Sequence, residues 1–368
     1  MKFRCDRDML SEGLQTVQRG VSTHPGIPAL TGVMMELSED GTLTLVTTDL
    51  EVSVHMTLEV QAREAGQALV PAKLITDIVK NLAEAPVELE TDERSQAWIR
   101  CEAYEGTIRL LPASDFPILQ APTGTTVDID VGAFADAVSQ VGRAASRDET
   151  RPILTGVLLE VSREGITMAA TDSYRLAVRD LMATAEGEMK VVVPERALGE
   201  AGRAAAAEEK GTVRLTLDEN QASFAVGCLA LTSRLIEGEF PNFRQLLPER
   251  YENKLTMSKQ VLLSAVKRVG LLARDNSPVK FEFNELGVKL SSSSPDLGEA
   301  MEAIQAQYEG QELTVAFNPN YFADGLAAAD GDVVRLEVRD GLKPGVIHGE
   351  KDDFTYLVMP VRLLAPVG

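Results

Sequence analysis

Apolar residues recur at helical spacing in three places along the chain. They are Leu10, Leu14, Val17 and Val21, then Phe134, Val138 and Val141, then Leu262, Val266 and Val269. Each run puts an apolar stripe on one face and predicts an amphipathic helix. Period-two or continuous apolar runs follow, such as Leu43 to Thr47, and predict strands. A second helix comes next, with Leu74, Ile78 and Leu82 on one face and Ile75 and Val79 beside them; 201–207 and 321–329 hold the corresponding places. Closing strands share one alternation, Val87-Glu88-Leu89-Glu90, Val213-Arg214-Leu215-Thr216 and Val334-Arg335-Leu336-Glu337. The order of elements therefore repeats three times, each time as helices set against a sheet, an α+β arrangement.

Short identities fix the period. Leu30-Thr31-Gly32 returns as Leu154-Thr155-Gly156, and Phe116-Pro117 as Phe240-Pro241, both offset by 124 residues. Thr48-Asp49 returns as Thr171-Asp172, and Val70-Pro71 as Val193-Pro194, both offset by 123. Residues 1–122 and 123–250 read as two copies of one unit, and 251–368 as a third, more diverged copy. Like units joined in a row make an arc, a filament or a closed ring. Two chains of three would close with pseudo-sixfold symmetry, but periodicity alone leaves an open three-domain arc equally available.

Candidate chemistry is sparse. No GxxxxGK[ST] phosphate loop, no GxGxxG after a strand and no GxSxG elbow occurs. His24, His55 and His348 stand apart without ligand spacing, and Cys5, Cys101 and Cys228 form no CxxC pair. Asp128-Ile129-Asp130 could suggest a carboxylate pair for a metal, but alternation on a strand explains it better. No metal or cofactor is expected. No apolar run approaches membrane-span length and no apolar signal region opens the chain, so a cytoplasmic protein with reduced thiols is expected. The Tyr174/Arg175 region could be an enzyme's pocket, yet its counterpart Thr47-Thr48-Asp49-Leu50-Glu51 has neither residue. A catalytic role is therefore not expected.

The run Tyr356-Leu357-Val358-Met359-Pro360-Val361-Arg362-Leu363 closely resembles the ending of the bacterial β sliding clamps, the β subunits of DNA polymerase III. The resemblance covers the whole chain, through Ser114-Asp115-Phe116-Pro117, Thr171-Asp172 with Arg175-Leu176, and Glu239-Phe240-Pro241-Asn242-Phe243. It implies the DNA clamp fold, a head-to-tail homodimer ring with helices lining the pore, and no catalysis. It further implies duplex DNA, the replicative polymerase, the clamp loader and other proteins with clamp-binding peptides as partners. Carried over by position, the partner-peptide cleft comprises Leu154, Thr171, Tyr174, Arg175, Leu176, Pro241, Leu246, Asn318, Tyr321, Val358, Met359, Pro360, Val361 and Arg362. An apolar floor with a flexible methionine suits varied side chains. The resemblance also places the dimer interface at an end strand around Ile108, meeting Leu271-Leu272 of the partner. His24 stands in a loop where the family often shows arginine, and Pro152-Ile153 replaces a pair usually aromatic or polar. A monomeric peptide-binding scaffold of tandem repeats is the rival reading.

The formal net charge is −20, which opposes contact with an acidic polymer. Over the helices as the periodicity bounds them, however, basic side chains outnumber acidic ones. Among them are Arg19, Lys80, Lys267 and Arg268 and, with His24, the residues expected to face DNA: Lys73, Arg143, Arg147, Arg196 and Arg203. Lys73 and Arg196 share one repeat position, after Pro71-Ala72 and Pro194-Glu195. A weakly positive inner wall would suffice for sliding, since phosphate contacts carry no sequence information.

Overall fold

A computed structural model describes residues 1–22, 26–92, 95–117, 121–185, 187–247, 251–273 and 277–362. Among these residues there are six α-helices: α1 Arg7–Val17, α2 Ala72–Lys80, α3 Val131–Val141, α4 Glu195–Ala207, α5 Lys259–Gly270 and α6 Pro319–Ala328. The chain divides into two compact units, one of Met1–Gly132 with Arg203–Leu235, the other of Ala133–Gly202 with Ile236–Gly368. The second expected copy is thus shared between them.

In the first unit, α1 starts where the Asp6 carboxylate accepts from the backbone N–H groups of Asp8 and Met9 at 2.8 and 3.2 Å, which satisfies donors the helix cannot. Leu10, Leu14 and Val17 are buried as the stripe requires. A methyl group on Gly13 would stand 2.9 Å from Leu58 and 3.2 Å from Leu45, so the helix lies close on the sheet. The antiparallel sheet beneath runs in the order Thr125–Asp130, Thr212–Leu217, Gln221–Val226, Leu229–Arg234, Val52–Glu59, Thr42–Thr48, Gly32–Leu37, Gly66–Pro71. Its centre joins two repeats, with Leu231 opposite Val54. A smaller sheet ends on the strand Tyr104–Arg109.

The second unit repeats this join. Its larger sheet runs Met189–Pro194, Gly156–Ser162, Gly165–Thr171, Arg175–Leu181, Phe354–Val358, Gly345–His348, Val333–Val338, Asn253–Ser258, Gln307–Glu309. Arg175 is opposite Val358. The smaller sheet runs Gly298–Gln305, Gly287–Ser294, Val279–Asn284, Leu313–Phe317. Under α5 and α6 the rings of Phe281, Phe317 and Phe322 pack with centroids 4.6–5.4 Å apart, adding to area burial the edge and offset contacts that aromatic pairs prefer.

Sheets continuous across repeats explain why compactness ignores the repeat boundaries. They also fix the closing strands, whose apolar members alternate inward as the sequence pattern requires. Asp128 points outward from its strand and pairs with Arg214 at 2.9 Å, and Asp130 points outward as well, as alternation on a strand requires.

Two sequence expectations need correction. The face of α2 in the core is Ala72, Ile75, Thr76 and Val79, while Leu74 is 48% exposed and Ile78 half-buried. Adjacent apolar stripes lie about 100° apart on a helix, and the sheet selected the one with the small Ala72. Leu82 is buried, but beyond the helix end at Lys80. The helices are also shorter than their apolar periodicity suggests. Arg19 and Arg143 fall in single 3-10 turns after α1 and α3, Arg147 in the loop beyond, and α3 and α6 carry no basic residue. The basic excess on the helices shrinks to near parity.

Two histidines tie stability to pH. Burial pulls the pKa of His55 below the ordinary histidine value against the opposing Glu36 carboxylate. Burial does the same to His348, against Glu337 at 3.6 Å and with Arg335 beside it. The unfolded chain, titrating near pH 6.5 at each site, therefore binds protons that the folded chain refuses. Stability should be complete above about pH 6.5 and decline as pH falls below it. Urea midpoints measured across that range should show a shallower decline for His55→Gln/His348→Gln than for the natural chain. Equal slopes would count against both assignments.

Candidate functional site

The cleft expected from the sequence falls within the second unit and is built on one turn. Between the strands Gly165–Thr171 and Arg175–Leu181, Asp172 Oδ1 accepts from the N–H groups of Tyr174 and Arg175 at 2.9 and 3.0 Å. Thr171 Oγ1 donates to the Arg175 carbonyl at 2.6 Å and accepts from Ser173 N–H at 3.1 Å. Ser173 takes φ = 79°, a left-handed conformation that costs a residue with a Cβ. The result lifts Tyr174 out of the sheet, 59% exposed.

The C-terminal segment lies against this turn. Met359 N–H donates to the Tyr174 carbonyl and Val361 N–H to the Ala316 carbonyl, both at 2.8 Å, and Pro360 bridges to Phe317. Val358 is buried, Met359 is 37% exposed, Pro360 and Val361 are half-buried and Arg362 is exposed. Phe317 leads into Asn318, whose side chain caps α6 by accepting from Asn320 and Tyr321 N–H at 2.9 and 3.3 Å. Asn318 and its following proline thus set where α6 begins and so where Tyr321 stands.

Arg175 connects these pieces. Its Nε donates to Asp172 Oδ2 at 3.0 Å and its Nη1 to Asp324 Oδ2 at 2.5 Å and Tyr356 Oη at 3.4 Å. The guanidinium lies 4.5 Å from the centroid of the Tyr321 ring, which stacks on Tyr174 at 6.3 Å and 22°. Burial opposes the charge, but the Tyr356 hydroxyl and the Asp324 and Asp172 carboxylates outweigh it and hold the Arg175 pKa above its ordinary value. Burial also pushes the Tyr356 phenol well up. Tyr356 in turn donates to the Tyr321 carbonyl at 2.9 Å.

The floor is apolar. Leu176 packs in one buried cluster with Leu158, Val178, Phe240, Phe243 and Leu357, and Ile153 packs against it. Leu154 is buried, while Pro241 is exposed and Leu246 is 46% exposed, next in the chain to Leu247, which packs against the cluster. Three members of the polar hold were not among the expected site residues: Asp172, Asp324 and Tyr356. Asp172 and Tyr356 stand inside the motifs that carry the resemblance. Asp324 has a weaker signal, an acid at the sixth residue of its helix as Asp77 and Glu200 are of theirs.

Elsewhere the expected residues are scattered. Lys73 and Arg196 are each the exposed second residue of a helix, α2 and α4, and Arg203 lies exposed two turns further along α4. Arg143 Nε donates to the Ser139 carbonyl at 3.0 Å, and Arg147 is exposed. His24 lies outside the described residues. At the expected dimer contact, Leu271 is 76% exposed and Leu272 half-buried. Ile108 is a correction: its side chain is 3% exposed, turned into its own core by the alternation of an edge strand. Only its neighbours face outward.

An α+β chain whose sheets run on across three repeats, with two helices in each, has the build of a DNA clamp. Family models of the DNA polymerase III beta subunit match in succession, the N-terminal domain over 1–120, the central domain over 128–242 and the C-terminal domain over 244–362. A beta sliding clamp of Streptomyces coelicolor is 34% identical over 99% of this chain and 100% of its own length. The DNA polymerase sliding clamp of Bacillus subtilis superposes with a TM-score of 0.94 at 30% identity, covering 99% of this chain and 100% of that one. A Pseudomonas aeruginosa sliding clamp bound to griselimycin gives 0.94 at 28% identity, with the same coverage. The chain belongs to the DNA polymerase III beta subunit family, the bacterial sliding clamps, and is a processivity factor of DNA replication.

Proposed function

We propose that two copies of this chain close head to tail into a ring around duplex DNA, each copy contributing 1–122, 123–250 and 251–368 as three clamp domains. The ring would carry no catalytic activity and act in the cytoplasm, loaded by a clamp loader. The polymerase, the loader and other partners would insert short peptides into the cleft of Leu154, Thr171, Tyr174–Leu176, Pro241, Leu246, Asn318, Tyr321 and Val358–Arg362. The observation that carries this reading is the pinning of Met359–Val361 beside the Tyr174 turn by two backbone hydrogen bonds. It brings together segments far apart in sequence and leaves Tyr174, Leu246 and Met359 exposed over a buried apolar floor. Exposed apolar side chains over an apolar floor, with a few fixed polar groups, suit a short peptide. Loaded on nicked circular DNA, the protein should stay bound at high salt and leave on linearisation. Loss from the closed circle at the same rate would refute enclosure.

The basic residues would serve the ring's inner wall. A positive side chain in a helix's first turn opposes the helix dipole, so Lys73 and Arg196 sit where stability alone would favour an acid. Replacing both with glutamate should weaken non-specific DNA binding and lower the slope of log affinity against log salt by about two. Peptide affinity should not change. An unaltered slope would remove α2 and α4 from the DNA-facing wall.

A further inference from the structure

The turn that builds the cleft occurs twice in the chain. In the first unit, Asp49 Oδ1 accepts from Glu51 and Val52 N–H at 3.1 and 2.8 Å, as Asp172 does from Tyr174 and Arg175. Thr48 Oγ1 bonds the Val52 carbonyl and the Leu50 N–H, as Thr171 bonds those of Arg175 and Ser173. Leu50 takes φ = 78°, as Ser173 takes 79°. Even the neighbouring strand repeats: Arg234 N–H donates to the Glu51 carbonyl at 2.9 Å, as Met359 N–H does to that of Tyr174.

This duplication is an internal control. The same backbone forms around Val52, so neither the turn nor the strand junction needs a guanidinium at Arg175 or an acid facing it. Asp172 divides its work, one oxygen for the turn and the other for Arg175. Asp324 lies on α6, outside the turn, and its carboxylate accepts from the Arg175 guanidinium. The Arg175 side chain is 12% exposed and that of Asp324 40%, so the acid reaches a mostly buried cation from the rim of the cleft.

We propose that Asp324 is a positioning residue of the peptide cleft: it fixes the Arg175 guanidinium against the Tyr321 ring and so holds the Tyr321–Tyr174 stack as a preformed wall for the incoming peptide. The proposal rests on the cleft reading above. The guanidinium has a polar edge and an aromatic-facing plane. With Asp172 holding Nε and Asp324 holding Nη1, both edges are tethered and the plane can only face Tyr321. Without Asp324 the group keeps its Nε bond to Asp172 but holds Nη1 only by the long 3.4 Å bond to Tyr356 Oη, so it loosens, and the wall must be ordered by the peptide at the expense of affinity.

The test is fluorescence anisotropy with a fluorescein-labelled peptide carrying the clamp-binding motif of the replicative polymerase, on the full-length protein. Asp324→Asn should weaken binding about five- to tenfold, and Asp324→Glu should restore most of it. Arg175→Lys keeps the charge but loses the fork and the stacking, and should weaken binding by a similar factor. The double variant Asp324→Asn/Arg175→Lys should bind no worse than the weaker single one, because both act through one contact. Thermal melting of Asp324→Asn should match the natural chain. Natural affinity in Asp324→Asn, factors that multiply in the double variant, no rescue by glutamate, or a loss matched by a fall in melting temperature would each overturn the assignment. Failure of the natural chain to bind the peptide would instead overturn the cleft reading itself.

Discussion

Removing Met359 to Gly368 should leave a folded protein that no longer binds polymerase or clamp-loader peptides. The last strand, Phe354–Val358, survives the cut with its pairing to both Arg175–Leu181 and Gly345–His348. Among the described residues, the loss on the folding side is the two backbone hydrogen bonds to Tyr174 and Ala316, each worth about 1 kcal/mol net. The loss on the binding side is greater, because Met359, Pro360, Val361 and Arg362 form one wall of the proposed cleft. Single anchors in such pockets are worth about 1–3 kcal/mol, so removing a wall should weaken binding by at least about 100-fold. Met359→Ala alone should show a smaller loss in the same direction. Fluorescence anisotropy with a labelled partner peptide measures both, and circular dichroism establishes that the truncated protein is folded. Full-strength binding by a folded truncation would show that partners dock elsewhere.

The elements that bury a single face were legible from spacing. Leu10, Leu14 and Val17 had one possible stripe, and the closing strands one possible inward set, so local pattern and tertiary contact agree. Legibility failed where two answers fit the same pattern. Leu74-Ile75 and Ile78-Val79 offer two adjacent stripes, and which one meets the sheet is decided by partners remote in sequence. Ile108 lies on an edge strand as expected, but the side of the sheet it faces depends on register. The cleft was legible only through family resemblance, since no spacing connects Tyr174 with Met359; they meet because the strand of one repeat pairs with that of the next. Asp324 was missed for a related reason. Acids stand at the same helix position in all three repeats, and what sets this one apart is an arginine on another element.

Both Leu271 and Leu272 changed to alanine should convert the proposed dimer to monomers at micromolar concentration. The smaller sheets of the two units end on Tyr104–Arg109 and Gly298–Gln305, edge strands with backbone groups left open to pairing. Each bears exposed apolar side chains, Tyr104 at 40% and Met301 at 68%. A head-to-tail ring would put one edge of each copy against the other edge of its partner, with Leu271 at 76% exposure beyond the end of α5 available to that contact. Large-to-alanine changes in a buried apolar contact cost about 2–5 kcal/mol each, and the ring contains the contact twice. Because Leu271 is exposed and Leu272 only half-buried within their own chain, the variant monomer should melt close to where the natural monomer would. Ile108→Ala should behave in the opposite way, lowering the melting temperature through a cavity in its own core and affecting the dimer only as a consequence. Light scattering and sedimentation separate the two variants. A Leu271→Ala/Leu272→Ala protein that remains dimeric at micromolar concentration would put the interface on another surface.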